Sequence, residues 1–192
     1  LVSSSIGNQS QSVITSYRFY KMIEFFDWVD RTDRIIGVTT REDAHRLGLF
    51  HRAVHLYARG LSGGLVLQKR SDSKDLDPGL WTVSCSGHVD RGESYEFAAT
   101  REMGEELNVS IKENELCELL RSDPCPENGY EFVRSYEVKC PVDPIPDPLE
   151  ISELREIGLA DLDEWMEREP HQFARSFRHL FPFARKRFLK IT

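Results

Sequence analysis

The chain has 192 residues, enough for one domain with a hydrophobic core and too few for two ordinary domains. Hydrophobic residues make up 40% and charged residues 30%, which is typical of a globular protein. The formal net charge of −7 argues against a general nucleic-acid binder, and no apolar run approaches the ~20 residues of a membrane span.

Four cysteines, at positions 85, 117, 125 and 140, form no CxxC pair. A chain of this length needs no disulfides, so we expect reduced thiols and a cytoplasmic location. Residues 1–21 contain no acidic residue and no apolar core of a secretory signal. We interpret them as a non-catalytic leader, with a remnant targeting segment as the alternative, and residues 22–192 as a single domain.

The first part of this domain is dominated by predicted strands, at residues 24–29, 34–40, 52–59, 65–69 and 80–86. The first two flank a polar turn and predict an N-terminal β-hairpin. The next two flank a glycine-rich turn, and we expect them to pair as a second hairpin. A short helix is predicted at residues 40–47 and a polar loop at residues 71–79.

The second part combines helices with further strands. The clearest helix covers residues 94–107, and C-terminal helices are predicted near residues 160–168 and 171–189. Strands are predicted at residues 116–121, 130–139 and 154–158, and four prolines exclude regular structure from residues 140–149. Strands and helices alternate without an internal repeat, which favours one α/β domain.

The helix at residues 94–107 carries Glu102, Glu105 and Glu106 within a wedge of about 100°. Like charges at this spacing repel each other by a few tenths of a kcal/mol per pair. Converging carboxylates suit a hard cation, which takes oxygen ligands. Considered alone, the three glutamates are better explained as a solvated acidic face.

The neighbouring residues change that balance. Gly87 and Gly92 permit tight backbone turns where a strand leads into the helix. Arg101 can fix one carboxylate while Glu93 approaches the same cluster from the loop. Asn108 follows the helix at a position that favours a left-handed conformation, which asparagine tolerates well.

These residues resemble the Nudix box, Gly-x5-Glu-x7-Arg-Glu-apolar-x-Glu-Glu-x-Gly-apolar. Eight of its nine specified positions match, and Asn108 replaces the family's second glycine. The matching residues are Gly87, Glu93, Arg101, Glu102, Met103, Glu105, Glu106 and Val109. The resemblance implies an α/β Nudix fold, with a mixed β-sheet sandwiched between α-helices, and cleavage of a diphosphate linked to another group X.

The same resemblance implies roles for individual residues. The implied ligands of Mg²⁺ or Mn²⁺ are Glu102, Glu105, Glu106 and the carbonyl of Gly87. Glu105 is the candidate general base, and Glu93 is expected to support the helix and the side chain of Arg101.

A second resemblance, over about residues 24–160, is to the isopentenyl-diphosphate isomerase branch of the superfamily. It is carried by His51-Arg-Ala, Leu67-Gln-Lys-Arg70, Lys74, Pro78-Gly-Leu-Trp81 and Ser86-Gly-His88. In those isomerases a cysteine just before the Gly-His pair protonates the substrate. Ser86 occupies that position here, and Cys85, one residue earlier, is expected on the opposite face of the strand.

This branch also implies further contacts. Arg70 and Lys74 are placed to bind diphosphate, although as isolated residues they would be surface charges. Candidates for a second set of metal ligands, or for a base, are His51, His88, Glu131 and Glu153. Each has the alternative of a hydrogen-bonded or solvated side chain, and that alternative is favoured for His45.

We therefore expect a metal-dependent hydrolase that cleaves the diphosphate linkage of a small nucleoside or other organic diphosphate. The alternatives are an isopentenyl-diphosphate isomerase and a non-catalytic, diphosphate-sensing Nudix module. The expected partner is the small-molecule diphosphate, with neither nucleic acid nor membrane. The Phe-rich C-terminal segment is expected to pack on the core or on a second copy in a homodimer. Loops 41–50, 71–80 and 121–130 are expected to form the pocket for X.

Overall fold

The computed structural model describes the backbone of residues 23–191 and the side chains of residues 23–188, so the predicted leader lies outside the described residues. The strands are β1 (Phe25–Val29), β2 (Ile35–Thr40), β3 (His51–Tyr57), β4 (Leu65–Arg70), β5 (Trp81–Thr82), β6 (Cys85–His88), β7 (Leu116–Ser122), β8 (Glu131–Val138) and β9 (Ile151–Ile157). The helices are α1 (Arg41–Leu47), α2 (Tyr95–Leu107), α3 (Leu159–Arg168) and α4 (Arg175–Ile191). Within this part of the chain, no helix is long and apolar enough to cross a bilayer.

The central sheet is mixed and has the strand order β6-β3-β8-β7. Strands β3 and β8 run parallel, whereas β6 and β7 pair antiparallel to their neighbours. Strands β5, β4 and β9 form a second, antiparallel sheet, and β1 and β2 form the predicted N-terminal hairpin. Strands β3 and β8 are therefore the two inner strands of the four-stranded sheet.

Helices cover both faces of β3, which is why almost all of its residues are buried. Val54 and Leu56 pack with Met103 of α2 in one core cluster. Tyr57, from the opposite face, packs with α3 and α4 in a second cluster. The predicted α/β arrangement, with a mixed sheet between helices, is confirmed.

The aromatic residues of the C-terminal segment pack on the core of the same chain. Phe173, Phe177, Phe181 and Phe188 are buried in the second cluster, whereas the Phe183 side chain is half exposed. This inward packing accounts for most of the aromatic residues in the segment.

One predicted strand pairing and the extent of one predicted strand differ from the structure. Strands β3 and β4 are joined only near their turn, at the bridge between Arg59 and Leu65, and then enter different sheets. The predicted strand at residues 80–86 is divided, because β5 pairs with β4 and β6 pairs with β3. At the break, the Ser84 hydroxyl accepts from the Ala58 amide at 2.8 Å and donates to the Val66 carbonyl at 2.6 Å. Ser84 thus links the two sheets, a contact that strand propensity does not encode.

Helix α2 has defined ends. The Ser94 hydroxyl accepts from the Phe97 amide at 3.1 Å, which caps the N-terminus. Asn108 adopts the expected left-handed conformation, with φ 53°, and its amide donates to the Gly104 carbonyl at 3.1 Å. This bond is that of the αL capping motif, and the Val109 amide donates in addition to the Met103 carbonyl at 3.0 Å.

Because residue 108 adopts a left-handed conformation, the free energy of unfolding should depend on which side chain it carries. We expect Asn108→Val to lower the free energy of unfolding by about 1–2 kcal/mol, because a β-branched side chain crowds the backbone in this conformation. Asn108→Gly is the control and should be at least as stable as the parent chain. Urea denaturation measures both, and a valine variant of unchanged stability would contradict the assignment of this helix end.

Candidate active site

A cleft of about 750 Å³ opens beside α2 and β6. Its acidic lining residues include Glu102, Glu105, Glu106, Glu131 and Glu150. Its basic lining residues are Arg41, Arg70, Lys74 and Arg101. The three glutamates of α2, which we call the metal helix, therefore line the same cleft as Arg70 and Lys74, the two residues predicted to bind diphosphate.

Gly87 makes room for the carboxylate of Glu102. A Cβ atom at residue 87 would lie 2.0 Å from Cδ of Glu102 and 2.1 Å and 2.6 Å from its two oxygens. The glycine is needed for this close approach and not, as the sequence suggested, for a turn; Gly92, with φ 80°, is the turn residue. Burial raises the pKa of Glu102 to about 8, and repulsion from Glu106 adds to the effect.

Glu106 is buried at the floor of the cleft. Its carboxylate accepts from Nε2 of Gln68 at 2.9 Å and from the Ser86 amide at 3.3 Å. Burial raises the pKa of Glu106, and hydrogen bonds from the Cys85 thiol and Gln68 offset that effect only in part. The structure thus holds two crowded carboxyl groups side by side, Glu102 and Glu106.

Arg101 connects the loop glutamate to the helix glutamates. Its Nε and Nη2 donate to the two oxygens of Glu93, each at 3.0 Å. Its Nη1 donates to Glu102 at 2.8 Å and Glu105 at 2.9 Å, and Nη2 also donates to the His88 carbonyl at 2.9 Å. Burial alone would lower the pKa of Arg101, but these carboxylates raise it, so the guanidinium stays charged.

The carboxylate cluster fits a hard divalent cation. Glu102, Glu105 and Glu106 offer only oxygen ligands, and two of them are desolvated beside each other. A bound cation would relieve the repulsion between these carboxylates. Without a cation, a proton on Glu102 relieves it, as the raised pKa of that residue indicates.

A second cluster lies at the other end of β6. One ligand atom from each of its four residues lies within 4.8 Å of the others, and the residues are His45, His51, His88 and Glu131. Nε2 of His88 is 3.2 Å, and Nε2 of His51 is 3.5 Å, from the same oxygen of Glu131. Burial alone would raise the pKa of Glu131, but its contacts with these two rings hold it well below its ordinary range.

This second cluster also fits a metal ion. Among the described residues, Nε2 of His45 and Nε2 of His51 are buried and form no hydrogen bond, although a Glu131 oxygen lies 3.5 Å from Nε2 of His51. A ligand beside Glu131 can therefore use both imidazole nitrogens. Burial and the neighbouring His88 lower the pKa of His45 to about 4, so that ring is neutral, the form that binds metals. Phe26 of β1 stacks on His51 and His88 and closes one side of the cluster. A mixed nitrogen and oxygen set suits a transition ion.

The family profile of the NUDIX domain matches residues 49–181. The chain belongs to the NUDIX domain family. The chain is 30% identical over 161 residues to isopentenyl-diphosphate Delta-isomerase 2 of Photorhabdus laumondii, covering 83% of this chain and 91% of that protein. It is 38% identical over 96 residues to an uncharacterized Nudix hydrolase of Clostridium acetobutylicum, covering 48% of this chain and 46% of that protein.

A crystal structure of a Deinococcus radiodurans protein has the same Nudix fold. It superposes with a TM-score of 0.68 at 30% sequence identity and covers 86% of this chain and 99% of that one. The MutT protein of Methanosarcina mazei, at 18% identity, superposes with a TM-score of 0.58. The predicted Nudix fold and the predicted relation to the isomerase-like branch are therefore confirmed.

Two positions of the Nudix strand β6 face in opposite directions, as alternation predicts. Ser86 lines the cleft, whereas Cys85 is fully buried in the core cluster beside α2. Burial raises the pKa of the Cys85 thiol well above its ordinary value, and the carboxylates of Glu106 and Glu102 add to this. The residue before Gly87 therefore places a hydroxyl group, and not a thiol, at the cleft.

The structure also locates the remaining candidates, namely His45, Glu153 and the loops predicted to form the pocket for X. His45 was expected to be hydrogen-bonded or solvated, and the structure instead places it in the second cluster, because α1 carries it over β3. Glu153 pairs with Arg155 at 3.2 Å outside the cleft, as its solvated alternative predicted. Of the three loops expected to form the pocket, residues 121–130 do not line the cleft.

The close approach of Glu102 to Gly87 leads to a prediction for Mg²⁺ binding. Gly87→Ala should displace the flexible end of Glu102 and weaken Mg²⁺ binding about tenfold or more, while the fold survives. Gly104→Ala is the matched control, because Gly104 lies on α2 with Glu102 and its new Cβ would meet nothing within 4 Å outside the helix backbone. Calorimetric Mg²⁺ titration measures both, and unchanged affinity in Gly87→Ala would contradict the role of Glu102.

The raised pKa of Glu102 leads to a second prediction, for the metal-free protein. The folded state holds a proton on Glu102 up to about pH 8, whereas the unfolded chain releases it near pH 4.5. This contribution to stability is complete below pH 4.5 and is lost as the pH rises towards 8. The Tm in EDTA should therefore fall over this range by more than the Tm of Glu102→Gln, and equal falls would contradict the burial of this carboxyl group.

Proposed function

We propose that this chain is a metal-dependent hydrolase that cleaves the diphosphate linkage of a small organic diphosphate. One observation carries the proposal. Glu102, Glu105 and Glu106 converge on a cleft that also holds basic side chains, and the residue facing that cleft before Gly87 is Ser86 instead of a thiol.

The metal helix supplies the proposed catalytic centre. Glu102, Glu105 and Glu106, with the Gly87 carbonyl, would hold Mg²⁺ or Mn²⁺. When bound, the ion neutralises diphosphate oxygens, activates water and stabilises charge on the leaving phosphate. Arg101 holds two of these carboxylates in place before the substrate arrives, which limits reorganisation during the reaction.

The basic residues of the cleft are the proposed diphosphate contacts. Nε of Arg70 donates to the Leu76 carbonyl at 2.9 Å, and its other donors form no hydrogen bond with the described residues, so they can bind phosphate oxygens. Lys74 contacts the carboxylate of Glu150, on the same side of the cleft. Phosphate oxygens can replace that carboxylate as the partner of the ammonium group.

Glu105 is the proposed general base. Its side chain is 61% exposed, whereas those of Glu93 and Glu102 are mostly buried. One oxygen of its carboxylate accepts a hydrogen bond from Arg101, and the other oxygen can take a proton from water in the cleft.

Isopentenyl-diphosphate isomerisation is the second candidate function. Two observations favour it, namely the His45, His51, His88 and Glu131 cluster and the isomerase names of relatives that cover most of the chain. Against it stands the proton donor, because serine is a far weaker acid than a thiol and the Cys85 side chain is directed into the core. We therefore place hydrolysis first.

The test is a panel of organic diphosphates incubated with Mg²⁺ or Mn²⁺ and scored for phosphate release. Glu105→Gln and Glu106→Gln should each lower the release at least about 100-fold while the fold survives. Glu96→Gln, on α2 but bonded to Tyr136 outside the cleft, is the control and should keep full activity.

The same panel includes isopentenyl diphosphate, followed both for phosphate and for the isomeric C5 diphosphate. Isomer without phosphate would identify an isomerase and refute the hydrolase proposal. Full phosphate release by both glutamine variants would show that the helix glutamates are not the catalytic centre.

A further inference from the structure

The floor of the cleft contains a buried histidine that the proposed hydrolysis does not use. His55 lies at the middle of β3, lines the cleft and is only 4% exposed. Its Nδ1 atom is buried without a hydrogen-bond partner among the described residues. Since Nδ1 is enclosed, Nε2 is the nitrogen that a molecule in the cleft can reach.

Two serines flank His55 on the neighbouring strands. Ser86 of β6 and Ser135 of β8 are its direct cross-strand partners, so the three side chains share one face of the sheet. Ser135 is fully buried, and its Oγ also lacks a partner among the described residues. A polar row, Ser86–His55–Ser135, thus crosses the centre of a sheet that is otherwise mostly apolar.

The polar row lies between two features already described. Towards one end of β3 is His51 of the second cluster, and towards the other is Tyr57, covered by the aromatic residues of α4. Ala174 and Ser176, at the start of α4, line the same cleft. The first amides of a helix have no intrahelical acceptor, so this boundary of the cleft offers further donors.

Burial lowers the pKa of His55 to about 4, so its imidazole is neutral near pH 7. A neutral imidazole has one donor and one acceptor nitrogen, and each serine hydroxyl both donates and accepts. Of these residues, His55 and Ser86 line the cleft. An alkyl chain laid against Nε2 of His55 and the Ser86 hydroxyl would leave them unpaired, whereas a hydroxyl group of a ligand can pair with them.

We propose that the polar row is the binding subsite for the group X, and that it selects a hydroxylated X, such as a sugar ring, over a hydrocarbon X. The inference rests on the proposed function for the position of the diphosphate in this cleft, but it does not require hydrolysis. A site built to hydrogen-bond a substrate discriminates strongly against analogues that lack the bonding groups. Ser135 is fully buried and does not line the cleft, so in this proposal it makes the surroundings of the His55 ring more polar and does not contact X.

The experiment compares equilibrium binding of three probes to the full chain with Mg²⁺. ADP and UDP-glucose are the hydroxylated probes, isopentenyl diphosphate is the hydrocarbon probe, and calorimetry gives each Kd. Wild-type protein should bind the better hydroxylated probe at least about tenfold more tightly than isopentenyl diphosphate. His55→Leu should remove most of this preference by weakening the hydroxylated probes alone.

Three further variants control this measurement. His55→Gln keeps a hydrogen-bonding side chain and should retain part of the preference, which separates lost recognition from a damaged fold. Ser135→Ala should lower the preference less than His55→Leu does. His171→Leu, at an exposed position outside the cleft, should leave it unchanged.

The inference is wrong if isopentenyl diphosphate binds as tightly as both hydroxylated probes, or if His55→Leu keeps the wild-type preference. Cleavage in the same samples tests the proposed function separately, followed as inorganic phosphate from ADP and isopentenyl diphosphate and as UMP with glucose 1-phosphate from UDP-glucose. Selective binding without cleavage would overturn hydrolysis and support the subsite, whereas cleavage with unselective binding would overturn the subsite alone.

Discussion

The guanidinium group of Arg101 is the interaction on which the site depends. Each of its three nitrogens donates to a carboxylate, and one also donates to the His88 carbonyl, all within 3.0 Å. One positive charge among Glu93, Glu102 and Glu105 holds these three carboxyl groups close together and can balance only one negative charge. The cluster therefore keeps an excess of negative charge, which a divalent cation can balance.

The surrounding fold keeps this arrangement in place. Strand β6 supplies the His88 carbonyl and the bare backbone of Gly87, against which α2 packs its buried side. The β1–β2 hairpin contributes from the other side, because Asp27 accepts from the Gly92 amide at 3.1 Å and Phe26 stacks on the second cluster. The hydrogen bond of Arg101 with the His88 carbonyl and the stacking of Phe26 on the His88 ring thus bring α2 and the hairpin together at the His88 end of β6.

The sequence predicted what is encoded locally. The contact of Glu93 with Arg101 and the left-handed Asn108 follow from spacing within one loop and one helix. The pairing partners of β4 and β6 and the place of His45 depend on contacts between distant segments, which periodicity does not specify. His55 was not predicted as a site residue, although the sequence places this titratable side chain between the apolar residues Val54 and Leu56 of β3.

The central claim is that the carboxylates gathered by Arg101 hold a divalent cation. Anomalous diffraction from crystals soaked in Mn²⁺ tests it most directly, because the ion is located without reference to activity. The account predicts a peak between Glu102, Glu105 and Glu106 next to the Gly87 carbonyl, whether or not a second peak lies in the His45 cluster. A map with no peak among these three glutamates would contradict it.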